Sequence, residues 1–206
     1  HNLKPFAVGN TGTQMAGWFK KEINSLEDMQ GLKLRLPGLA GEAMNGIGVS
    51  TVNMAGSEIF TSLQTGALDA ADWVGPYNDL AFGLHQVADY YYTSVWNEPS
   101  AVLEGTINLD AWNALPEDLQ DVIREAARAS NLAMISEFAY RNAQALETLV
   151  EEHGVQLRTF PEDVMAALYE SSKQAIQRQV ESDEESRRVY ESYSAFQKVV
   201  RPFSDA

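Results

Sequence analysis

Arg35 is the first residue whose type and place suggest chemistry. It sits in the run LKLRL, Leu32 to Leu36, directly before Pro37-Gly38. An Arg at a strand end can aim a planar fork of N–H donors into a cleft. That fork matches a carboxylate through two parallel hydrogen bonds, where Lys would offer only a point charge. The plain alternative is an exposed strand-end Arg or an ordinary ion pair. Asp72 and Trp73 close the run ALDAADW. In open α/β sheets, ligands bind beyond the carboxyl ends of strands. A carboxylate against an indole wall is a common lining of a small-molecule pocket; an ordinary turn Asp is the competing reading. Glu98 follows Trp96-Asn97 and precedes Pro99, and Gln14 lies in a loop rich in Gly and Thr. Two carboxylates and an amide oxygen are the donor set of a hard cation such as Na+ or Ca2+. With 29 Asp and Glu in the chain, this triple alone is not diagnostic.

What is missing narrows the chemistry further. There is no G-x-S-x-G, no P-loop, no H-E-x-x-H and no G-x-G-x-x-G behind a strand. Their absence shifts weight from catalysis toward binding. Cys is absent, which excludes disulfide scaffolds, thiolate metal sites and a Cys nucleophile. His1, His85 and His153 are scattered, so a His-based zinc site would need them to converge. The 206 residues carry a formal charge of −14. Nucleic-acid binding is not expected, since neutralising phosphates needs clustered Lys and Arg. No apolar run is long enough to span a bilayer as a helix.

Hydrophobic periodicity gives the elements that must position these side chains. Strands are predicted at Leu32–Leu36, Ser50–Met54 and Ala67–Val74. Helices are predicted at Ala40–Ile47 and from a Ser57 cap to about Thr65, closed by Gly66. Strand–helix–strand–helix–strand at this spacing argues an α/β sheet with parallel pairing. Another strand is expected over Ala101–Asn108. Pro116 then opens a long helix, with Glu117 and Asp118 in its first turn. Leu119, Val122, Ile123, Ala126, Ile135, Phe138, Leu146, Leu149 and Val150 continue it to Gly154. Some 35 residues at ~1.5 Å each make a rod of about 50 Å, longer than a small domain. Without sustained heptads, a helix spanning two lobes is favoured over a coiled coil. Val155–Phe160 reads as a strand, and Pro161 opens a helix to about Val180. Asp183 or Ser182 caps a last helix bearing Val189, Tyr190, Tyr193, Phe196 and Val200. That aromatic stripe packs either on the chain's own core or on a partner subunit.

Several stretches together resemble a known family. These are EDMQGLKLR (Glu27 to Arg35), SEIFTSLQTGALDAADW (Ser57 to Trp73), WVGPY (Trp73 to Tyr77) and LPEDLQ (Leu115 to Gln120). The chain resembles the solute-binding subunits of tripartite ATP-independent periplasmic (TRAP) transporters. Finer likeness lies in NTGTQ (Asn10 to Gln14), DWVGPY (Asp72 to Tyr77) and WNE (Trp96 to Glu98). It points to the subgroup that binds 2-oxo or 2-hydroxy monocarboxylates through a metal ion.

The resemblance implies a two-lobed α/β periplasmic binding fold with a long helix spanning both lobes. It implies that Arg35 pairs with the ligand carboxylate. Gln14, Asp72, the Trp73 backbone carbonyl and Glu98 would hold a ligand-bridging Na+ or Ca2+. Asn10, Gln14, Trp73, Tyr77 and Trp96 would line the ligand pocket. Asp72 stands where the pattern has Glu, and WNE replaces W-W-E. The expected division is 1–70 with 109–160 as the second lobe, 71–108 as part of the first, and 161–206 as C-terminal helices. The likeness further implies a piece of a longer protein, lacking N-terminal strand–helix elements of the first lobe and ending early. The expected location is the periplasm, and the expected partners are a small organic acid anion, the membrane subunits of a TRAP transporter, and a second copy through the C-terminal helix. Two other readings stay in view. One is binding of a sugar acid, dicarboxylate or aromatic acid without a cation. The other is a metal-assisted enzyme using Asp72 and Glu98.

Overall fold

A computed structural model describes residues 1–93 and 96–204. The expected first-lobe part 71–108 and the C-terminal stretch 161–206 therefore each include residues outside the described ones. Strand β1 (Leu3–Asn10) leads into β2 (Gly17–Phe19) and β3 (Lys33–Arg35). Helix α1 (Gly38–Gly46), β4 (Ser50–Val52), α2 (Gly56–Thr65), β5 (Ala70–Ala71) and α3 (Pro76–Ala81) follow. Then come β6 (Tyr90–Tyr92), β7 (Val102–Asn108), α4 (Leu109–Asn113) and the 35-residue α5 (Glu117–Glu151). The chain continues through β8 (Gln156–Arg158), α6 (Glu162–Ser182) and α7 (Glu184–Ser204).

Six strands form one sheet in the order β4-β3-β5-β2-β6-β8. Its β3–β4 and β3–β5 pairs are parallel, as the alternating pattern predicted. β2 joins antiparallel to both β5 and β6, so the sheet is mixed. β1 and β7 form a separate antiparallel ribbon.

The two faces of the sheet follow from alternation along its strands. Phe19, Leu34 and Tyr92 point to one cluster with Met44, Phe160 and Leu168. Trp18, Ala71 and Tyr91 point to the other with Ile59, Leu63, Leu84 and Leu149. Trp18 stacks on Tyr91 with ring centroids 4.0 Å apart. Helix α5 joins the two units. Its C-terminal half enters the second cluster through Leu146 and Leu149. Its N-terminal half lies against the ribbon, where Ser130 Oγ donates to the Val8 carbonyl at 2.8 Å. The rod thus bridges two packed units, as its length predicted.

Some expectations are corrected. Ala67–Val74 is not a full strand. Leu68 is tied back to the Ser62 carbonyl of α2, and only Ala70–Ala71 pair in the sheet. Ser57 is not the cap; Ala55 precedes α2, and Ser57 lies inside its first turn. Gly66 closes that helix in the left-handed conformation, as expected. Asp183 rather than Ser182 caps α7, accepting from the Ser186 N–H at 2.8 Å. The lobe boundary at 70/71 cuts β5, and Tyr90–Tyr92 of the expected first lobe sit in the same sheet as β3. Strand pairing therefore groups residues 17–92 with 156–158. Finally, the α7 stripe does not pack on the core: Val189, Tyr193 and Phe196 are 70%, 57% and 64% exposed.

Candidate functional site

The site forms where β3 and β5 end side by side. Arg35 and Ala71 are register partners, so the next residue, Asp72, leaves the sheet beside the Arg35 backbone. The Asp72 N–H donates to the Arg35 carbonyl at 3.0 Å. In return, Arg35 Nη1 donates to the Asp72 carbonyl at 2.8 Å and Nε reaches the Met54 carbonyl at 3.4 Å. These bonds fix the guanidinium plane, which lies 5.4 Å over the Trp73 ring. Among the described residues Nη2 has no hydrogen-bond partner, so the outer edge of the fork can meet a carboxylate. Arg35 is buried; desolvation lowers its proton affinity, while Asp72 and Glu98 raise it.

Asp72 is also buried, and its Oδ1 has no hydrogen-bond partner. Burial is the largest cause that pushes its carboxyl up to about 7, reinforced by Asp79 and opposed by Arg35. Gln14 is 4% exposed, and its Oε1 is likewise buried without a partner. The loop carrying Gln14 wraps against 71–75. At Gly17, with φ +114°, a Cβ would stand 2.7 Å from the Ala71 carbonyl oxygen and 3.2 Å from Asp72 Cα. The missing side chain is what allows this approach. On the far side of Gln14, the Thr13 carbonyl oxygen lies 3.7 Å from where a Gly75 Cβ would be. Asn10 shapes the same loop, its Oδ1 accepting from the Gly12 N–H at 2.8 Å.

Other predicted residues lie further out. Glu98 is exposed, yet its charge acts on both Arg35 and Asp72. Trp73 is half-buried against Phe82, with ring centroids 5.0 Å apart. Tyr77 leans on α5, edge-on to Phe138 at 5.7 Å and under Arg141 at 5.2 Å. Its N–H donates to Asn142 Oδ1 at 3.0 Å. Trp96 packs, half-buried, against the cluster on the opposite face of the sheet. The structure thus brings Arg35, Asp72 and Trp73 together, lays the loop that carries Gln14 against Ala71–Gly75, sets the Glu98 charge within reach, and turns the Tyr77 and Trp96 rings toward other contacts.

Sequence reasoning missed Asp79. It is 1% exposed and accepts four hydrogen bonds. Trp18 Nε1 and Tyr91 Oη donate to Oδ2 at 2.9 and 2.7 Å. The Val74 and Gly75 N–H groups donate to Oδ1 at 3.2 and 3.1 Å. Burial nevertheless raises its carboxyl to about 6. The available signal was an acid in the first turn of a helix opened by Pro76.

Two buried carboxylates against one buried guanidinium leave surplus negative charge, with two oxygens lacking donors. A hard cation supplies what both lack, so this donor set fits one. A buried Arg fork beside a buried, unpartnered carboxylate oxygen is chemically suited to meeting a small anion and a cation.

Comparison with known proteins agrees with that class. The family model for bacterial extracellular solute-binding protein, family 7 (DctP), matches residues 1–183, and the chain belongs to this family. The chain is 40% identical over 199 residues to a monocarboxylate 2-oxoacid-binding periplasmic protein of Nostoc sp. That match covers 97% of this chain and 54% of the relative. A TRAP periplasmic solute-binding protein of Pseudoalteromonas atlantica, solved with bound sodium and pyruvate, superposes with TM-score 0.90 at 38% identity. It is matched over 98% of this chain and 62% of its own. One from Colwellia psychrerythraea, solved with bound calcium and pyruvate, gives TM-score 0.93 at 37% identity, over 99% and 62%. The chain therefore spans little more than half of these relatives. Among the described residues no helix is long and apolar enough to cross a membrane.

Proposed function

We propose that the protein is the periplasmic solute-binding subunit of a TRAP transporter and captures a small 2-oxo or 2-hydroxy monocarboxylate of the pyruvate or lactate kind. Arg35 takes the ligand carboxylate. Gln14, Asp72, the Trp73 carbonyl and Glu98 hold a Na+ or Ca2+ that bridges to the ligand. The observation that carries this reading is the orphaned buried oxygen of Asp72 beside an Arg fork with a free edge, with a second orphaned oxygen on Gln14 in the loop laid against Ala71–Gly75. Relatives with bound pyruvate and cation support it. The protein is a binder and not an enzyme, and its partners are the transporter's membrane subunits. The six-stranded unit is one lobe, and the β1–β7 ribbon with the N-terminal half of α5 leads into the other. Lobe closure over the ligand excludes water, which strengthens the charge contacts that hold it.

Calorimetry on the full-length protein tests this. Pyruvate binds when Na+ or Ca2+ is present and loses most of its affinity after chelation and desalting. Cation-independent binding of a sugar acid or dicarboxylate would favour the other ligand class.

A specific observation favours a second copy as a further partner. The α7 stripe is exposed, and a cavity of about 730 Å³ opens between Leu39, Ile176 and Val180 on one side and Val189, Tyr190 and Tyr193 on the other. Pairing of α7 with its counterpart would bury this face, and light scattering at micromolar concentration would report a dimer mass.

A further inference from the structure

The carboxylate of Asp79 touches neither of the orphaned oxygens, yet it is the most enclosed charge beside the site. All four groups that bond it are neutral donors: an indole N–H, a phenol and two peptide N–H groups. Among the described residues no Lys, Arg or His is paired with it. Only an acceptor-only group satisfies this set. An Asn would turn an N–H toward the Trp18 indole N–H or the two peptide donors, leaving one pair unmatched. The two peptide bonds define the turn from Trp73 to Gly75, which carries the Trp73 carbonyl. The other two anchor that turn on the Trp18–Tyr91 stack in the second cluster. Asp79 thereby ties the rigid sheet to the segment holding Asp72 and Trp73.

Position and charge act together here. The Asp79 charge reaches Asp72 and opposes its ionisation, while Arg35 favours it. A cation in contact with Asp72 therefore feels a second fixed negative charge behind its first ligand. Coulomb energy scales with ion charge, so this second charge acts about twice as strongly on a divalent ion as on a monovalent one.

Building on the function proposed above, we infer that Asp79 is a positioning residue that fixes the Trp73–Gly75 turn and, through its buried negative charge, sets the cation site's preference for Ca2+ over Na+.

The test titrates the full-length protein with Ca2+ alone and Na+ alone, without organic acid, by calorimetry or intrinsic Trp fluorescence. Pyruvate is then titrated at saturating cation. Asp79→Asn removes the charge and keeps the side-chain shape; if that variant does not fold, Asp79→Ser removes the charge with a smaller polar side chain. The buried control Leu84→Ala, in the same cluster, loosens the fold without touching charge. The expected result is a loss of Ca2+ affinity of about tenfold against about threefold for Na+, following the charge ratio. Leu84→Ala should lower thermal stability and leave the Ca2+/Na+ ratio unchanged. Equal losses for both ions, or an unchanged ratio in both Asp79 variants, overturn the inference while wild-type binding leaves the parent reading intact. Wild-type protein that binds neither cation nor pyruvate overturns both.

Discussion

The end of β3 and the face of α7 are unsatisfied in opposite ways. Around Arg35 the chain buries polar atoms and leaves them without partners: Gln14 Oε1, Asp72 Oδ1 and the Trp73 Nε1. Along α7 it exposes apolar side chains and leaves them without cover, with Val199 77% and Phe203 88% exposed. A buried orphan costs desolvation that only a small polar group can return. An exposed apolar stripe costs little in the lone chain and gains only when a broad surface covers it. The first region calls for an ion and a small anion, the second for a protein surface. The two regions of this acidic chain differ in what is left unpartnered, buried polar atoms in one and exposed apolar side chains in the other.

Breaking the first region should have the largest effect. Arg35→Ala should weaken pyruvate binding more than a hundredfold in calorimetry, about 3 kcal/mol, because the ligand carboxylate and Asp72 lose their shared partner in a dry cleft. Wild-type affinity in that variant would remove Arg35 from the site.

A smaller effect follows from pH. The carboxyls of Asp72 and Asp79 are raised from 3.8 to about 7 and about 6. Between pH 4 and 7 the folded chain then holds protons that the unfolded chain has released. Cation-free stability should fall as pH rises through that window and level off above it. Ca2+ should restore most of the loss at pH 8, since it binds the folded site. A melting temperature that rises from pH 5 to 8 without cation would contradict the buried-charge account.

Gly17→Ala probes the geometry that brings the Gln14 loop to Asp72. The added Cβ meets the Ala71 carbonyl at a backbone angle that L-residues avoid. A loss of about 2 kcal/mol in denaturant unfolding is expected, together with weaker cation binding. Least of all should be felt from Tyr193→Ser with Phe196→Ser. Monomer stability should shift by under about 0.5 kcal/mol, while any dimer mass in light scattering disappears. A large loss of monomer stability would mean that α7 serves the chain's own core.

Much of this was legible in the residues, for reasons that differ by element. The long helix from Pro116 carried its own end signals and a length set by rise per residue. β3 and α1 were marked by an apolar run and the Pro37-Gly38 break. Arg35 and Asp72 were readable because both close such runs. β2 and β6 were not predicted: at three residues each, GWF and YYY have no room to show a period. β5 was overextended because ALDAADWV reads as one apolar run, while only its two Ala residues pair. Asp79 was invisible because four donors from three elements converge on it, and that convergence is a property of the fold. The α7 stripe shows the opposite failure. Its pattern is clear, but a pattern states which face is apolar and not what covers it.

The most direct test of the central claim is a crystal structure of the full-length protein grown with pyruvate and Ca2+. The account predicts ion density about 2.3–2.6 Å from the Asp72 carboxylate and the Gln14 amide oxygen. It also predicts the pyruvate carboxylate on the free edge of Arg35. Pyruvate bound elsewhere, or Arg35 and Asp72 opening into separate regions of solvent, would contradict it.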